Sequence, residues 1–460
     1  MSNSTIAAFG EYTGLCADTG DEINQIKAND PAFTEFCLYD RDAKKFSDLS
    51  WELLGSYIAQ NEHLDIINLV GCNLTDSEMS LLFRNWTRSD SLKEVNISGN
   101  MIGIVGIRSM VSFLKNARNL RELCIGDNRD TNTECFRVLV EALHSGGGTI
   151  EALRLWSDKI EDITALERYP LPHLRYLVLD NNNIRRFPTS LENYTNLEEL
   201  HLRNNQIGRE GFRSIANLLE KDSSRVKYLD LDSTDMCDED AEVIANSLTY
   251  NTSLTDIHLE GSVCSRRDAD GHRAFLKLVN DVSSIERTHN SNHTLKTLSL
   301  PRSTDAAIQE FKTHIDCAMR INKYEERSHG RAKVVEAQLN SDERMELCHL
   351  QGIGYSYGSI FAEIEPILLP EVFALVGERY GQDELYQMLI TAAPDLVSIV
   401  NRRAVIKERI AEKSARIAAL EAEVSAIKDE VHELNGELAS FESEETHKPM
   451  IGRKRGRENL

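Results

Sequence analysis

The side chains of this sequence that are best suited to chemistry are two histidines and an aspartate at a regular interval. His201, Asp230 and His258 lie 29 and 28 residues apart, and each takes the fifth place of the same eleven-residue pattern. If these patterns form neighbouring parallel strands about 4.8 Å apart, the two histidines flank the aspartate. A metal ion needs ligands that converge to about 2.0–2.2 Å from one point, which histidines two strands apart only just allow. We therefore predict polar surface residues here and no metal site.

No other arrangement of residues in the sequence indicates catalysis. There is no Walker A loop, no nucleophile elbow and no set of cysteines at zinc-binding spacing. Gly352 and Gly354 belong to a stretch too short to form a phosphate-binding loop. The sequence therefore predicts no catalytic residue, no bound cofactor and no enzymatic activity.

The element that positions these side chains is a repeated pattern of the form L-x-x-L-x-L-x-x-N-x-[LI]. It is clearest from Leu174 to Ile184 and from Leu197 to Ile207. The first, fourth and sixth residues point into a core, the residues between them form a short strand, and the ninth can hydrogen-bond to the backbone of the following turn. Nine such units begin at Leu64, Leu92, Leu120, Ile150, Leu174, Leu197, Val226, Leu254 and Leu295.

The pattern resembles the signature of leucine-rich repeat proteins, and most units resemble the intracellular, ribonuclease-inhibitor-like class. Ile107, Met110 and Leu114 keep the spacing of one helical face, and units of about 28 residues have room for such a helix. The resemblance implies an α/β solenoid, a curved horseshoe with parallel strands on its concave side and helices on its convex side. The units at Ile150 and Leu174 are shorter, so we expect them to lack a full helix and to flatten the arc locally.

Composition and pattern divide the chain into six segments, because terminal repeats of a solenoid are atypical and the end of the chain no longer repeats. The predicted segments are a polar N-terminal segment at 1–32, a capping repeat at 33–63, the nine-unit solenoid at 64–325 with an insertion at 261–294 and a capping helix at 305–322, a small helical module at 331–400, a coiled coil at 401–441, and a disordered tail at 442–460. Within the insertion, the polar run from Glu286 to Asn292 predicts a loop.

Residues 401–441 carry apolar side chains at alternating intervals of three and four, which is the spacing of a coiled coil. Branched residues at the a positions with mostly leucine at the d positions favour a parallel dimer. A helix that folds back on its own chain is the alternative. The residues predicted to form the dimer interface are Ile417, Leu420, Val424, Ile427, Val431, Leu434 and Leu438.

The outward-facing residues of the strands predict a protein-binding surface on the concave face. Arginine, tryptophan and tyrosine dominate the hot spots of protein interfaces, and an acidic group of side chains lies beside them. The predicted partner-binding residues are Arg154, Trp156, Tyr176, Asp180, Arg203, Tyr228, Asp230, Asp232, Asp256, His258 and Glu260. The alternative for most of them is a role as ordinary solvated strand residues.

Charge and hydropathy restrict the partner and the compartment. A net charge of −22 argues against general binding to nucleic acid, which requires phosphate neutralisation, and makes a basic protein surface the natural complement. The acidity is also consistent with a purely solubilising role.

The sequence also predicts the compartment. No apolar run reaches the length of a membrane span, no signal peptide is evident, and we interpret the cysteines as reduced thiols. We therefore predict a cytoplasmic protein, or a nuclear one if the basic cluster of Arg453, Lys454, Arg455 and Arg457 is an import signal.

Together these features predict a non-enzymatic scaffold that binds a partner protein on the concave face and forms a homodimer through the coiled coil. The alternative is a GTPase-activating or other GTPase-regulating leucine-rich repeat protein, although the contiguous acidic tail of the activators of the nuclear-transport GTPase is missing. A true ribonuclease inhibitor would have more cysteines, and a hydrolase in residues 331–400 would need convergent titratable groups that the sequence does not offer.

Overall fold

The computed structural model describes residues 19–38, 46–262, 270–300, 306–323, 329–334 and 337, together with isolated positions between 410 and 428. Contacts divide the chain into one unit of Met1–Ser356 and a second of Tyr357–Leu460. The fold below is that of the first unit.

Short parallel strands alternate with helices throughout the described part of the first unit. The strands are β1 (Glu35–Cys37), β2 (Ile66–Asn68), β3 (Glu94–Asn96), β4 (Glu122–Cys124), β5 (Ala152–Arg154), β6 (Tyr176–Val178), β7 (Glu199–His201), β8 (Tyr228–Asp230), β9 (Asp256–His258) and β10 (Thr297–Ser299). The helices are α1 (Thr19–Ala28), α2 (Asp48–Gln60), α3 (Asp76–Asn85), α4 (Ile104–Asn116), α5 (Thr133–Ser145), α6 (Ala165–Arg168), α7 (Gly208–Glu220), α8 (Asp238–Ser247), α9 (Asp270–Val279), α10 (Ile285–His289), α11 (Ala306–Lys323) and α12 (His329–Val334).

The strands form one sheet in which each strand pairs only with its neighbours in the sequence, from β1 to β10. The register is constant, so that Leu177, for example, lies beside Leu153 on one side and Leu200 on the other. These central residues are buried in a single apolar core that runs between the sheet and the helices. The predicted α/β leucine-rich repeat solenoid is therefore confirmed.

The turn after each strand needs a residue in the left-handed region of backbone conformation. At the eighth place of the unit, Asp127, Ser157, Asn181, Asn204 and Ser233 have φ between 54° and 57°, and glycines take that place in other units. Small polar residues tolerate this conformation because their side chains hydrogen-bond locally. The chain can therefore reverse direction toward the helices after only three strand residues.

The ninth residue of the unit holds the turns of neighbouring units together. Asn182 is buried, and its amide donates to the carbonyl oxygens of Leu155 at 2.8 Å and Leu179 at 3.0 Å. Its carbonyl oxygen accepts from the backbone N–H of Ile160 at 3.2 Å. One side chain thus satisfies backbone groups of two units, which buried polar groups require. In the first unit of the pattern, the Cys72 thiol donates to the Leu38 carbonyl oxygen at 3.0 Å.

The two short units differ from the others as the sequence predicts. Between β5 and β6 the described residues form only the four-residue helix α6, and between β6 and β7 they form no helix. Apolar side chains such as Phe187, Leu191 and Tyr194 cover the core in that place.

Two stretches are more regular than the sequence indicates. The polar segment before residue 33 contains helix α1, whose Ile26 is buried against the core; the isolated apolar side chains at Ile23 and Ile26 were too few to reveal it. The predicted loop from Glu286 to Asn292 was wrong, because helix α10 occupies most of it. The Ser284 side chain accepts a hydrogen bond from the backbone N–H of Arg287 and caps this helix.

Among the helices that the structure describes, none combines the length and the apolar composition that a membrane span requires. Most of the predicted helical module at 331–400, most of the coiled coil at 401–441 and the whole tail at 442–460 lie outside the described residues.

Candidate protein-binding surface

The face of the sheet opposite the helices carries two rows of side chains, and we call it the helix-free face. Because side chains alternate along a strand, the middle residue of each strand enters the core while the first and third point outward. The first-residue row reads, from β1 to β10, Glu35, Ile66, Glu94, Glu122, Ala152, Tyr176, Glu199, Tyr228, Asp256 and Thr297. The third-residue row reads Cys37, Asn68, Asn96, Cys124, Arg154, Val178, His201, Asp230, His258 and Ser299.

Arg154 links the acidic and the aromatic parts of this face. Its guanidinium lies 2.7 Å from the Glu122 carboxylate, and it stands over the ring of Tyr176 at 5.9 Å, while Arg175 approaches the same ring at 5.4 Å. Both partners of the ion pair are largely buried, so the pair is screened by solvent less than an exposed one. These contacts hold the arginine side chain in one orientation on the helix-free face.

Trp156 follows strand β5 and lies flat on the backbone of the preceding unit. A β-carbon added at Gly126 would come within 2.3 Å of the indole ring, so only glycine leaves room for it there. The tryptophan is therefore half-buried and does not project freely into solvent.

Two histidines and a tyrosine stack across the next three strands. The ring centroids of His201 and Tyr228 lie 4.7 Å apart, and those of Tyr228 and His258 lie 5.1 Å apart. Burial first, and then the nearby carboxylates of Asp230 and Asp180, raise the pKa of the Tyr228 hydroxyl above its usual range. The tyrosine ring therefore separates the two histidines, which the sequence alone does not show.

Two half-buried carboxylates near this stack, those of Asp180 and Asp232, have raised pKa values. Burial, with the Asp230 carboxylate as a further cause, raises the pKa of Asp180 to about 6. Burial and the same neighbour also raise the pKa of Asp232, whose nearest guanidinium, that of Arg203, is 3.9 Å away. The guanidinium of Arg203 offsets the effect of burial only in part at both carboxylates.

Carboxylates also lie close together at the other end of the surface. Glu94 lies directly beside Glu122 in the register of β3 and β4. Burial first, followed by the charges of Glu122 and Glu35, raises the pKa of Glu94 to about 7. Arg154 reduces this effect only in part, because it is bonded to Glu122.

One group of side chains on this face has the composition of a metal site. Asp180, His201 and Asp230, from the ends of three adjacent strands, each offer a ligand atom, and these atoms lie within 4.8 Å of one another. The sequence pointed to His201 and Asp230 but paired them with His258. Asp180 was predicted as a partner-binding residue but not as a member of this group, because it belongs to a different place in its unit and only the turn after β6 brings it to the other two.

A family model described as leucine rich repeat matches residues 149–207, which includes strands β5 to β7 and the two short units. The described part of the chain is a leucine-rich repeat solenoid. The match, the regular register of the sheet and the asparagine bridges between units all describe the same architecture. The finer assignment to the ribonuclease-inhibitor-like class stays a prediction.

Two curated relatives and two solved structures are similar to parts of this chain. Protein CARMIL of Dictyostelium discoideum is 26% identical over 198 residues, which are 39% of this chain and 18% of the relative. Rho GTPase-activating protein gacW of the same organism is 25% identical over 252 residues, which are 53% of this chain and 21% of the relative. The match thus spans about a fifth of the length of these relatives.

The solved structures share 16% sequence identity with this leucine-rich repeat chain. An internalin of Listeria monocytogenes has a TM-score of 0.33, with 63% of this chain and 94% of that chain covered. The tropomodulin C-terminal domain of Caenorhabditis elegans has a TM-score of 0.28, with 34% and 93% covered.

The structure places the predicted partner-binding residues on the helix-free face of the leucine-rich repeats or at its edge. Asp230 differs from the others because it is buried, with 7% of its surface exposed, so its prediction as a solvent-facing contact was wrong. Its neighbours in the register of the sheet are His201 on β7 and His258 on β9. Sequence reasoning missed Glu94, Glu122 and Glu199, although their recurrence at the third place of the unit was a usable signal.

Proposed function

We propose that this leucine-rich repeat protein is a non-enzymatic scaffold that binds a partner protein through the helix-free face of its sheet. A leucine-rich repeat solenoid is typically an interaction scaffold, which is the coarser statement that the fold supports. The observation that carries the finer proposal is the continuous row of aromatic, arginine and carboxylate side chains from Arg154 to Glu260.

The centre of this row has the properties of an interface anchor. Arg154 and Tyr176 are half-buried and fixed by mutual contact, and Trp156 is supported from below by Gly126. Rigid aromatic and arginine side chains lose little conformational entropy on binding. A partner can therefore gain contact area here without first ordering the surface.

The charge of the face favours a partner with lysine or arginine side chains. Burial and neighbouring carboxylates raise the pKa values of Asp180, Asp232 and Glu94, and the nearby arginines offset this effect only in part. A cationic side chain placed beside such a carboxylate stabilises its charged form. Electrostatic complementarity of this kind sets specificity and the association rate more than it sets affinity.

The test is affinity capture by the wild-type chain and by two double variants. Trp156→Ala/Arg203→Ala alters the helix-free face, whereas Arg213→Ala/Tyr250→Ala removes one arginine and one aromatic ring that are exposed elsewhere. A true partner should be retained by the second variant and should bind the first at least about tenfold more weakly, since truncation of a hot-spot residue costs about 2 kcal/mol or more. Equal yields from both variants would show that the face is wrongly chosen.

We further propose that residues 401–441 form a parallel coiled coil that makes the protein a homodimer. Among the described positions of this segment, Ile410, Leu420, Val424 and Ile427 are helical and largely exposed in the single chain. Exposed apolar residues at a and d positions are buried when two such helices associate. A dimer would present two binding faces, which increases avidity without any new contact.

Light scattering of the full chain tests the dimer. Val424→Glu/Ile427→Glu places charges at the a and d positions and should reduce the mass to that of a monomer. Ala418→Glu/Ala422→Glu adds the same charges at positions that face away from a partner helix and should leave the dimer intact. A dimer that survives the first variant would overturn the proposed interface.

The alternative function is regulation of a small GTPase, and one observation favours it. The relative with the longer match is a Rho GTPase-activating protein, but the match spans 21% of that relative. Measurement of GTP turnover by Rho-family GTPases with and without this chain distinguishes the two functions. Acceleration of turnover would support regulation, whereas binding without acceleration would support a scaffold.

A cytoplasmic or nuclear location stays a prediction. The basic cluster from Arg453 to Arg457, which would be the import signal, lies outside the described residues.

A further inference from the structure

Asp180, His201 and Asp230 form a compact group on the helix-free face. Asp180 follows β6, His201 ends β7 and Asp230 ends β8, so that one residue comes from each of three adjacent units. Their possible ligand atoms all lie within 4.8 Å of one another. His201 and Asp230 are 4% and 7% exposed, which distinguishes the group from the acidic residues that any soluble surface carries.

Each of the three side chains is oriented by a second partner. Nε2 of His201 lies 3.1 Å from the Glu199 carboxylate, and Oδ1 of Asp230 accepts the backbone N–H of Asp232 at 2.9 Å. Oδ1 of Asp180 accepts the backbone N–H of Arg203 at 2.8 Å. Metal-binding histidines commonly donate one ring nitrogen to a carboxylate, which fixes the tautomer and makes the other nitrogen a better ligand.

The surroundings of the group also call for a cation. The carboxylates of Asp180, which is half-buried, and Asp230, which is buried, have oxygen atoms within 4.8 Å of each other. A bound divalent ion would neutralise the paired carboxylates, which is why like charges persist in such positions in metal proteins.

We propose that Asp180, His201 and Asp230 bind a divalent transition-metal ion, with Zn²⁺ as the best chemical match. One imidazole and two carboxylates are a suitable ligand set for Zn²⁺, and three protein ligands leave a fourth position open to water or to a group from a partner. A tetrahedral site with bonds of about 2.1 Å needs ligand separations of about 3.4 Å. The ligand atoms must therefore come closer together than 4.8 Å. The Asp180 side chain can make this movement, because it is only half-buried and follows the end of its strand.

His258 does not belong to this site, although the sequence pairs it with His201. The Tyr228 ring stands between the two histidines, at 4.7 Å from one and 5.1 Å from the other. His258 is therefore a matched control, since it has the same chemistry, lies one unit beyond Asp230 and cannot reach the same ion.

Titration of the full chain with Co²⁺ tests the proposal, because Co²⁺ reports its ligands in visible absorption. We expect saturable binding of one ion per chain and no thiolate-to-cobalt charge-transfer band. His201→Gln and Asp230→Asn should abolish or greatly weaken binding. Glu199→Gln should weaken it about 10- to 100-fold through loss of the orienting carboxylate. His258→Gln should bind as the wild type does, and competition with Zn²⁺ should displace the cobalt.

Three results would overturn the proposal. They are the absence of saturable binding by the wild type, a charge-transfer band that identifies cysteine ligands, and an equal loss of binding in His258→Gln. Circular dichroism of each metal-free variant verifies that the solenoid is folded. The titration needs no partner protein, so a failure of metal binding leaves the proposed interaction surface standing.

Discussion

Replacement of Asp158 by asparagine should stabilise this protein, and the gain should grow as the pH rises. Asp158 takes the ninth place of its unit. In the next unit Asn182 takes that place, and its amide donates to the carbonyl oxygens of Leu155 and Leu179. A carboxylate cannot donate. One oxygen of Asp158 accepts the backbone N–H of Asn128 at 2.9 Å, while the other is buried without a partner.

The magnitude follows from the shifted protonation of this side chain. Burial raises the pKa of Asp158 from 3.8 to about 8. Since the folded chain holds the proton more tightly than the unfolded chain, stability is greatest below about pH 4 and falls as the pH rises towards 8. At about 1.4 kcal/mol for each pKa unit the ceiling is about 6 kcal/mol. Local relaxation lowers it, so we expect a loss of about 2–4 kcal/mol, which asparagine avoids because its amide does not titrate.

Urea unfolding of the wild type and of Asp158→Asn between pH 4 and pH 8.5 measures this effect. The difference between the two proteins cancels the titration of all other groups, and it should be small at pH 4 and reach its maximum near pH 8. Asp90→Asn, which removes an exposed carboxylate, is the control and should show no such trend. A difference for Asp158→Asn that does not change with pH, or a less stable variant at pH 8, would refute the reasoning.

Three further substitutions test other parts of the structure. Gly126→Ala should displace the Trp156 ring, because the new β-carbon would lie 2.3 Å from it, and should lower the free energy of unfolding by about 1–3 kcal/mol. The tryptophan emission spectrum reports the displacement, and an unchanged spectrum would contradict it. Tyr194→Phe should lower the free energy of unfolding by about 1 kcal/mol, because it removes a buried hydroxyl that donates to the Leu166 carbonyl oxygen at 2.9 Å. Thermal or urea unfolding measures this loss, and an equally stable variant would show that the hydrogen bond is dispensable. Glu122→Gln should lower the pKa of Glu94 below its value of about 7, since one of the charges that raise it is removed; a carboxylate NMR titration measures this, and an unchanged midpoint would exclude the coupling.

The repeat pattern was sufficient to predict the strands, the core and the short units. Apolar residues at the first, fourth and sixth places leave only one way to stack the units, because every strand must bury the same side. The helix α1 was not predicted, since Ile23 and Ile26 alone do not establish a helical period, and α10 was not predicted because its residues are mostly polar. Both helices are stabilised by contacts with residues far away in the sequence, which a local pattern does not contain.

The candidate surface was predicted in outline but not in detail. The list from Arg154 to Glu260 follows from the alternation of side chains along each strand. The burial of Asp230 and the high pKa of Glu94 do not follow from it, because each depends on side chains of neighbouring units about 4.8 Å away across the sheet. These neighbours also determine the support of Trp156 by Gly126.

The sequence by itself determined that this chain is a leucine-rich repeat protein, because spacing along the chain fixes which side of every strand is buried. Only the tertiary structure decided which outward side chains meet, such as Asp180 with His201 and Asp230. Those three residues come from three units and from two different places in the unit. Their separation is set by the turn after β6 and by the register between strands, and neither quantity is encoded in the identity of any single residue.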